Sequence, residues 1–313
     1  MSDSEGVEQS VESAPDDESE AADGVADESE PVDDVPDEAD TTADLEDGNA
    51  ETGDRSGPPE LVVDGLVKRF GGVTAVDGAS FEVEEGSLTG LIGPNGAGKS
   101  TTFNCITGVH DTDGGTVTFR GEDITGLRTS TIANRGLVRT FQIARELEEM
   151  TVLENLMLAP RGQVGESLTR SVVPGLRGRV NAQERQLREE VWDTLELFEI
   201  DHLAGEYAGN LSGGQRKLLE LARALMVDPD LMLLDEPFAG VNPTLEEKLL
   251  DRIHGLRDSQ NLTFLLVEHD MDLIMENCEH VIVMHQGEVL AEGPPTAIRN
   301  DDRVIDAYLG DEL

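Results

Sequence analysis

The chain is 313 residues long, 37% hydrophobic and 4% aromatic, and sets 66 acidic against 23 basic residues for a net charge of −43. That length and apolar content support one large domain or two small ones, while the charge excludes nucleic acid as a partner, since a phosphate backbone is bound by surplus cations. No apolar run reaches the length of a bilayer span, and no secretory leader precedes the acidic start, which predicts a soluble or peripheral protein inside the cell.

Residues 1–58 read as a disordered acidic tail. The first 54 positions hold 22 acids and neither Lys nor Arg, and such a segment cannot bury enough apolar surface to offset its conformational entropy. Pro58-Pro59 marks its end. The remainder, 59–313, still carries 44 acids against 22 bases, with only four lysines. An acidic, lysine-poor surface suits a salt-rich cytoplasm, where high ionic strength screens self-repulsion. The reading is an extreme halophile, with an ordinary acidic cytosolic protein as the alternative.

Folded sequence begins at Glu60-Leu61-Val62-Val63, expected as an edge strand running to Phe70. A second strand follows near Ser80–Val83, a short buried one at Ser87–Ile92, and another at Gly115–Arg120. From about Gln142 to Asn210 the pattern is mostly helical. Asn181 is expected to cap a helix, with Glu184 three residues on, and Leu187, Val191, Leu195 and Phe198 fall on one face of it. A loop rich in Gly and Arg, Arg161–Arg179, precedes that helix. Contact with an anionic membrane face and local pairing with Glu166 and Glu184 both account for its arginines. Leu231–Leu234 then reads as a buried strand, Thr244–Ser259 as a helix and Thr263–Val267 as a second buried strand. Val281–Met284 and Glu288–Ala291 form a hairpin about Gln286-Gly287. Continuous apolar strands alternating with helices predict an α/β fold, with a parallel sheet covered on both faces. Cys105 and Cys278 lie in apolar helical contexts without metal spacing and read as reduced core thiols.

Three segments carry chemistry. Gly93-Pro94-Asn95-Gly96-Ala97-Gly98-Lys99-Ser100-Thr101 is a phosphate-binding loop set between a buried strand and a helix. Its glycines let backbone N–H groups turn inward, Lys99 supplies charge for β- and γ-phosphates, and Ser100 supplies a hydroxyl for Mg²⁺. Asp235 closes an apolar strand and is placed to hold Mg²⁺; Glu236 beside it can polarise an attacking water. Leu211-Ser212-Gly213-Gly214-Gln215 opens a helix and forms a second anion cradle.

Together, at this order and spacing, these segments resemble the ATP-binding cassette (ABC) family over about Glu60 to Leu313. The resemblance implies a P-loop NTPase nucleotide-binding domain with an antiparallel β edge subdomain and an α-helical subdomain at about 142–210. It implies ATP and Mg²⁺ as cofactors, and a head-to-tail dimer in which Leu211–Gln215 closes over ATP held by the other subunit. It also implies that Gln142, in Thr140-Phe141-Gln142, reaches the metal or the water, that His269 contacts the γ-phosphate and holds Glu236, and that Phe70 stacks on adenine. Asn242 stands where many relatives carry Asp.

One cassette without spans fits a subunit that docks on separate permeases. Arg69–Val76, Met150–Leu156, Glu268–Met271 and the ending Val304–Gly310 resemble the branched-chain amino acid import ATPases, the larger of the two ATPases in those systems. The partners this implies are two permeases, a second ATPase subunit and an extracellular substrate-binding lipoprotein, with the chain peripheral on the cytoplasmic membrane face. Urea and short-chain amide importers share the architecture. A soluble non-transport ATPase and a nucleotide-holding regulatory module are the remaining alternatives. Against the former stand the single cassette and the absence of sustained heptads; against the latter, an intact Lys99, Asp235, Glu236 and His269.

Overall fold

The computed structural model describes residues 59–140, 147–160 and 177–309, and its two sheets follow from two kinds of strand. β1 (Pro59–Phe70), β2 (Val73–Glu84) and β4 (Gly114–Phe119) mix buried and exposed positions, as half-covered antiparallel strands do. β3 (Leu88–Ile92) and β8 (Thr263–Val267) are buried at every position, and β7 (Leu231–Asp235) at all but its last. The first group, with the short β5 (Glu122–Asp123), makes a four-stranded sheet in the order β2-β1-β4-β5. The second group joins β6 (Leu137–Arg139) and the hairpin β9 (His280–His285) and β10 (Glu288–Gly293). It forms a six-stranded sheet in the order β10-β9-β3-β8-β7-β6. Its pairs are parallel except the hairpin, whose turn residues Gln286 and Gly287 have φ of 51° and 90°. Two positive φ values are what a two-residue hairpin turn requires.

β1 is not the edge strand expected of it. Val63 pairs with Phe81 on one side and with Val117 on the other, so both ladders of β1 are used. The return of β4 after the P-loop helix fills the second ladder, a long-range pairing invisible in the local apolar pattern.

The period-two alternation of the large sheet divides its side chains between two cores. Met232, Leu234, Phe264, Leu266, Val281 and Val283 enter one, and Leu231, Leu233, Leu265, Val267, Ile282 and Met284 the other. The first core is capped by helices: α3 (Val152–Met157), α4 (Arg177–Leu197), α5 (Gly213–Leu225), α6 (Pro243–Gln260) and α7 (Met271–Asn277), with α8 (Pro295–Ile298) and α9 (Asp302–Leu309). The second is shared by α1 (Lys99–Ile106), α2 (Thr129–Asn134) and the four-stranded sheet. One face of the sheet is thus covered by helices, the other by two helices and β-structure.

α3 begins at a capping box: the Thr151 hydroxyl accepts from Glu154 N, and Glu154 Oε2 accepts from Thr151 N at 2.8 Å. α4 starts at Arg177, which places Asn181 inside the helix rather than at its cap. Arginine is a good helix former, and Asn in a helix interior costs less than about 1 kcal/mol, so the helix runs through it. Leu187, Val191, Leu195 and Phe198 are buried in one core as expected. Residues 1–58, Gln142 and residues 161–176 lie outside the described residues. Among the described residues no helix is long and apolar enough to cross a membrane.

Candidate nucleotide site

β3 is central in the parallel sheet and delivers the chain at Ile92 to a loop that turns sharply into α1. The turn needs glycine at two places. Gly93 has φ 148°, and a Cβ there would lie 2.1 Å from the Met284 carbonyl oxygen; Gly98 has φ 104°, and its Cβ would lie 2.6 Å from that of Ala75. The strand order therefore presses β9 and β2 against the loop so closely that only hydrogen fits. Tyr308 of α9 also bonds to the Gly93 backbone, and burial pushes its phenol up to about 12.

A cavity of about 310 Å³ opens above this loop, lined by Ala75, Asn95–Thr101, Glu236 and His269. It brings together nine of the residues singled out in the sequence, Asn95–Thr101 with Glu236 and His269, while Gly93, Pro94 and Asp235 adjoin them in the chain without lining it. Lys99 is buried, and its ammonium donates to the carbonyls of Gly93 at 2.5 Å and Pro94 at 3.0 Å. Burial pushes its pKa down from the ordinary lysine range, while the carboxylates of Glu236 and Asp235 act against that shift. Ser100 and Thr101 open the first turn of α1 on the cavity wall.

β7 ends at Asp235 and the chain then enters an unusual turn. Glu236 has φ 51°, a left-handed conformation rare for a residue with a Cβ. Its N–H donates to Val267 O at 2.9 Å, and its Oε1 lies 2.8 Å from His269 Nε2. β7 and β8 are parallel neighbours with Asp235 opposite Val267, so the residues following each strand fall side by side.

Asp235 is engaged by a residue the sequence reading passed over. Arg139, at the end of β6, pairs with Asp235 Oδ2, donates to Asn104 Oδ1 at 2.6 Å and stacks its guanidinium over Phe103 at 5.7 Å. A charged residue closing an apolar strand just before Thr140–Gln142 was the available signal. Lys217 was also passed over, and Glu268 was noted only within the Glu268–Met271 resemblance, without a role of its own. Lys217 donates to the carbonyls of Glu236, Pro237 and Ala239 at 3.0, 2.9 and 2.5 Å. Glu268 accepts from Phe238 N at 2.9 Å and His269 N at 3.2 Å. Burial pushes its carboxyl above the ordinary range, against the lowering effect of those two bonds.

Other expected residues stand apart from the cavity. Phe70 is 45% exposed at the end of β1, with the His110 ring edge-on at 5.2 Å and Lys68 Nζ at 5.3 Å. It offers an open aromatic face rather than a core side chain. Leu211 is buried, while Ser212 and Gln215 form a second capping box at the start of α5: Gln215 N donates to Ser212 Oγ at 3.3 Å and Ser212 N to Gln215 Oε1 at 2.9 Å. A Cβ on Gly214 would come within 2.2 Å of Leu245, while Gly213 faces open space. Asn242 caps α6, accepting from Leu245 N at 3.0 Å ahead of Pro243. Among the described residues no cluster of three His, Cys, Asp or Glu could hold a metal unaided. A hydroxyl at Ser100 and a carboxylate at Asp235, the latter paired here with Arg139, are the kinds of oxygen donor that Mg²⁺ takes.

A P-loop after the central strand, an Asp-Glu pair after its second neighbour and a Ser-Gly-Gly-Gln helix start define an ATP-binding cassette. The ABC transporter family model matches residues 76–239, and that of the branched-chain amino acid ATP-binding cassette transporters matches residues 288–313. The probable branched-chain amino acid transport ATP-binding protein LivG of Archaeoglobus fulgidus is 44% identical over 250 residues, 80% of this chain and 95% of that protein. The high-affinity branched-chain amino acid transport ATP-binding protein BraF of Pseudomonas aeruginosa is 43% identical over 255 residues, covering 81% and 98%. Among solved structures, the ADP conformation of MJ1267, an ATP-binding cassette of an ABC transporter, aligns with TM-score 0.68 and 36% identity over 81% of this chain and all of that one. The chain belongs to the ABC transporter family and is an ATP-binding, ATP-hydrolysing subunit.

Proposed function

We propose that the chain energises uptake of branched-chain amino acids, with Glu236 as the general base of hydrolysis. The observation that carries the catalytic part is the Glu236–His269 contact at 2.8 Å on the wall of the P-loop cavity. Cargo is supported by the relatives named above. In this reading Gly93–Thr101 wraps the phosphates and Phe70 stacks on adenine. Ser100, Asp235 and Gln142 would hold Mg²⁺, which when bound would neutralise charge developing on the phosphates. His269 holds Glu236 and contacts the γ-phosphate. Leu211–Gln215 faces the nucleotide of a second ATPase subunit, and closure of that dimer moves two permeases docked on the helical segment. An extracellular lipoprotein delivers the cargo, and the chain sits on the cytoplasmic face of the membrane. The acidic, lysine-poor composition belongs to a halophile, so assays call for molar salt.

The test is Glu236→Gln, tagged and purified from native membranes at high salt. The expected outcome is ATP retained without turnover, and co-purification of two permeases, a second ATPase and an amino-acid-binding lipoprotein. Robust hydrolysis by this variant removes Glu236 as base. Recovery in the soluble fraction alone removes the transport role.

A further inference from the structure

We infer that Glu268 is a positioning residue for hydrolysis, a buried carboxylate clamp that holds the backbone segments carrying Glu236 and His269 in mutual register. The inference rests on the reading of Glu236 as the base. Glu268 is 5% exposed, whereas the side chains of Glu236 and His269 on either side of it are 41% and 49% exposed. A carboxylate that sits beneath two solvent-facing groups costs desolvation energy unless its oxygens are satisfied. Both are: Oε1 accepts the N–H of Phe238 and Oε2 that of His269. Those two amides belong to different loops, one following β7 and one following β8. Glu268 itself follows β8 and His269 is its chain neighbour, so the bond to Phe238 N is the one that crosses, and through it a single side chain ties together the two segments whose side chains meet at 2.8 Å.

The backbone geometry gives that clamp a load. Glu236 sits at φ 51°, a strained conformation for a residue with a Cβ that persists where its surroundings over-determine it. Lys217 supplies the second constraint, holding the carbonyls of Glu236, Pro237 and Ala239 from α5. Carbonyls are thus held from below by an ammonium and an amide by a carboxylate, on the same short turn. Neither Glu268 oxygen is aimed at the P-loop cavity, whose walls include Glu236 and His269 but not Glu268.

Glu268→Gln keeps the shape and one acceptor but opposes an NH₂ to one of the two amides. Glu268→Asp keeps both acceptors on a shorter arm. Steady-state ATP hydrolysis, equilibrium binding of a fluorescent ATP analogue and thermal unfolding are measured on both, in the full chain at molar KCl, with Glu236→Gln alongside. The expected result for Glu268→Gln is a kcat lower by about tenfold or more, since small misplacements of reacting groups are costly, with analogue affinity within about twofold of the parent; Glu268→Asp recovers part of kcat. Should Glu268→Gln not fold, the same split between kcat and affinity is read on Glu268→Asp. Parental kcat in both variants overturns the inference, as does a joint fall of kcat, affinity and unfolding temperature. A hydrolysing Glu236→Gln would instead remove the base assignment beneath it, while an inert Glu236→Gln beside a fully active Glu268→Gln removes the clamp alone.

Discussion

His269 Nε2 lies 2.8 Å from Glu236 Oε1, across the ends of two parallel strands. The contact joins a candidate base to a ring that can receive or return a proton, and it exists because β7 and β8 pair with Asp235 opposite Val267. His269→Ala leaves the strands intact and removes the partner. General acid–base and orienting groups contribute roughly 10²- to 10⁴-fold, so kcat is expected to fall by about 10²-fold while ATP still binds. Turnover within a few-fold of the parent would show that the ring does not orient Glu236.

The P-loop glycines make opposite predictions from a helix glycine. Gly93→Ala forces a Cβ to 2.1 Å from a backbone oxygen at φ 148°, and neither β9 nor the loop can yield cheaply. It is expected to cost about 2 kcal/mol or more of stability and to abolish nucleotide binding. Gly255 lies inside α6 with nothing within 4 Å of its added Cβ, so Gly255→Ala is expected to stabilise by up to about 1 kcal/mol. Chemical denaturation of the two variants side by side checks both signs; a stable, nucleotide-binding Gly93→Ala would contradict the packing argument.

What was legible in the sequence is what is local. Lys99 and Ser100 follow the glycine loop, and Asp235-Glu236 stand at the end of an apolar strand, so adjacency along the chain was enough to place them. The face formed by Leu187, Val191, Leu195 and Phe198 was legible for the same reason, a period of 3.6 along one helix. Lys217 and Glu268 were not, because the carbonyls that Lys217 holds and the Phe238 N–H that Glu268 holds are backbone groups 19 to 30 residues away, and any residue type presents the same N–H and C=O. The interior place of β1 was hidden likewise: its second neighbour, β4, arrives only after α1. Asn181 misled because a side chain suited to capping does not by itself start a helix, and α4 begins four residues earlier at Arg177. Gln142 lies outside the described residues, and its role stays a proposal from resemblance.

The two cysteines give a test of the core. Both are free and buried, and burial pushes Cys105 to about 11 and Cys278 to about 12. Since the thiolate is the nucleophile, neither is expected to react with iodoacetamide at pH 8 in the folded chain, and both should react at once in denaturant. Cys278 Sγ would lie 3.3 Å from a Cβ at Gly90, so α7 packs directly on β3. Rapid native labelling of Cys278 would mean that this contact opens.

Glu60 predicts a pH dependence with a defined sign. It opens β1, is 5% exposed, accepts a hydrogen bond from the Thr263 hydroxyl on β8, and so ties the first strand to the central sheet. Burial raises its pKa from 4.5 to about 7; the Thr263 bond acts against the shift, and Asp230 and Glu85 add to it. The folded chain therefore keeps a proton that the unfolded chain releases between pH 4.5 and about 7. The stability contributed by this site is full below the unfolded value, declines as pH rises through that window, and is level above it. Glu60→Gln cannot ionise and retains a polar partner for Thr263. It is expected to match the parent near pH 4.5 and to exceed it at pH 8 by on the order of 2 kcal/mol. Denaturation at constant molar salt across that range checks the window, and parallel curves for parent and variant would place the ionised carboxylate in water rather than in the fold.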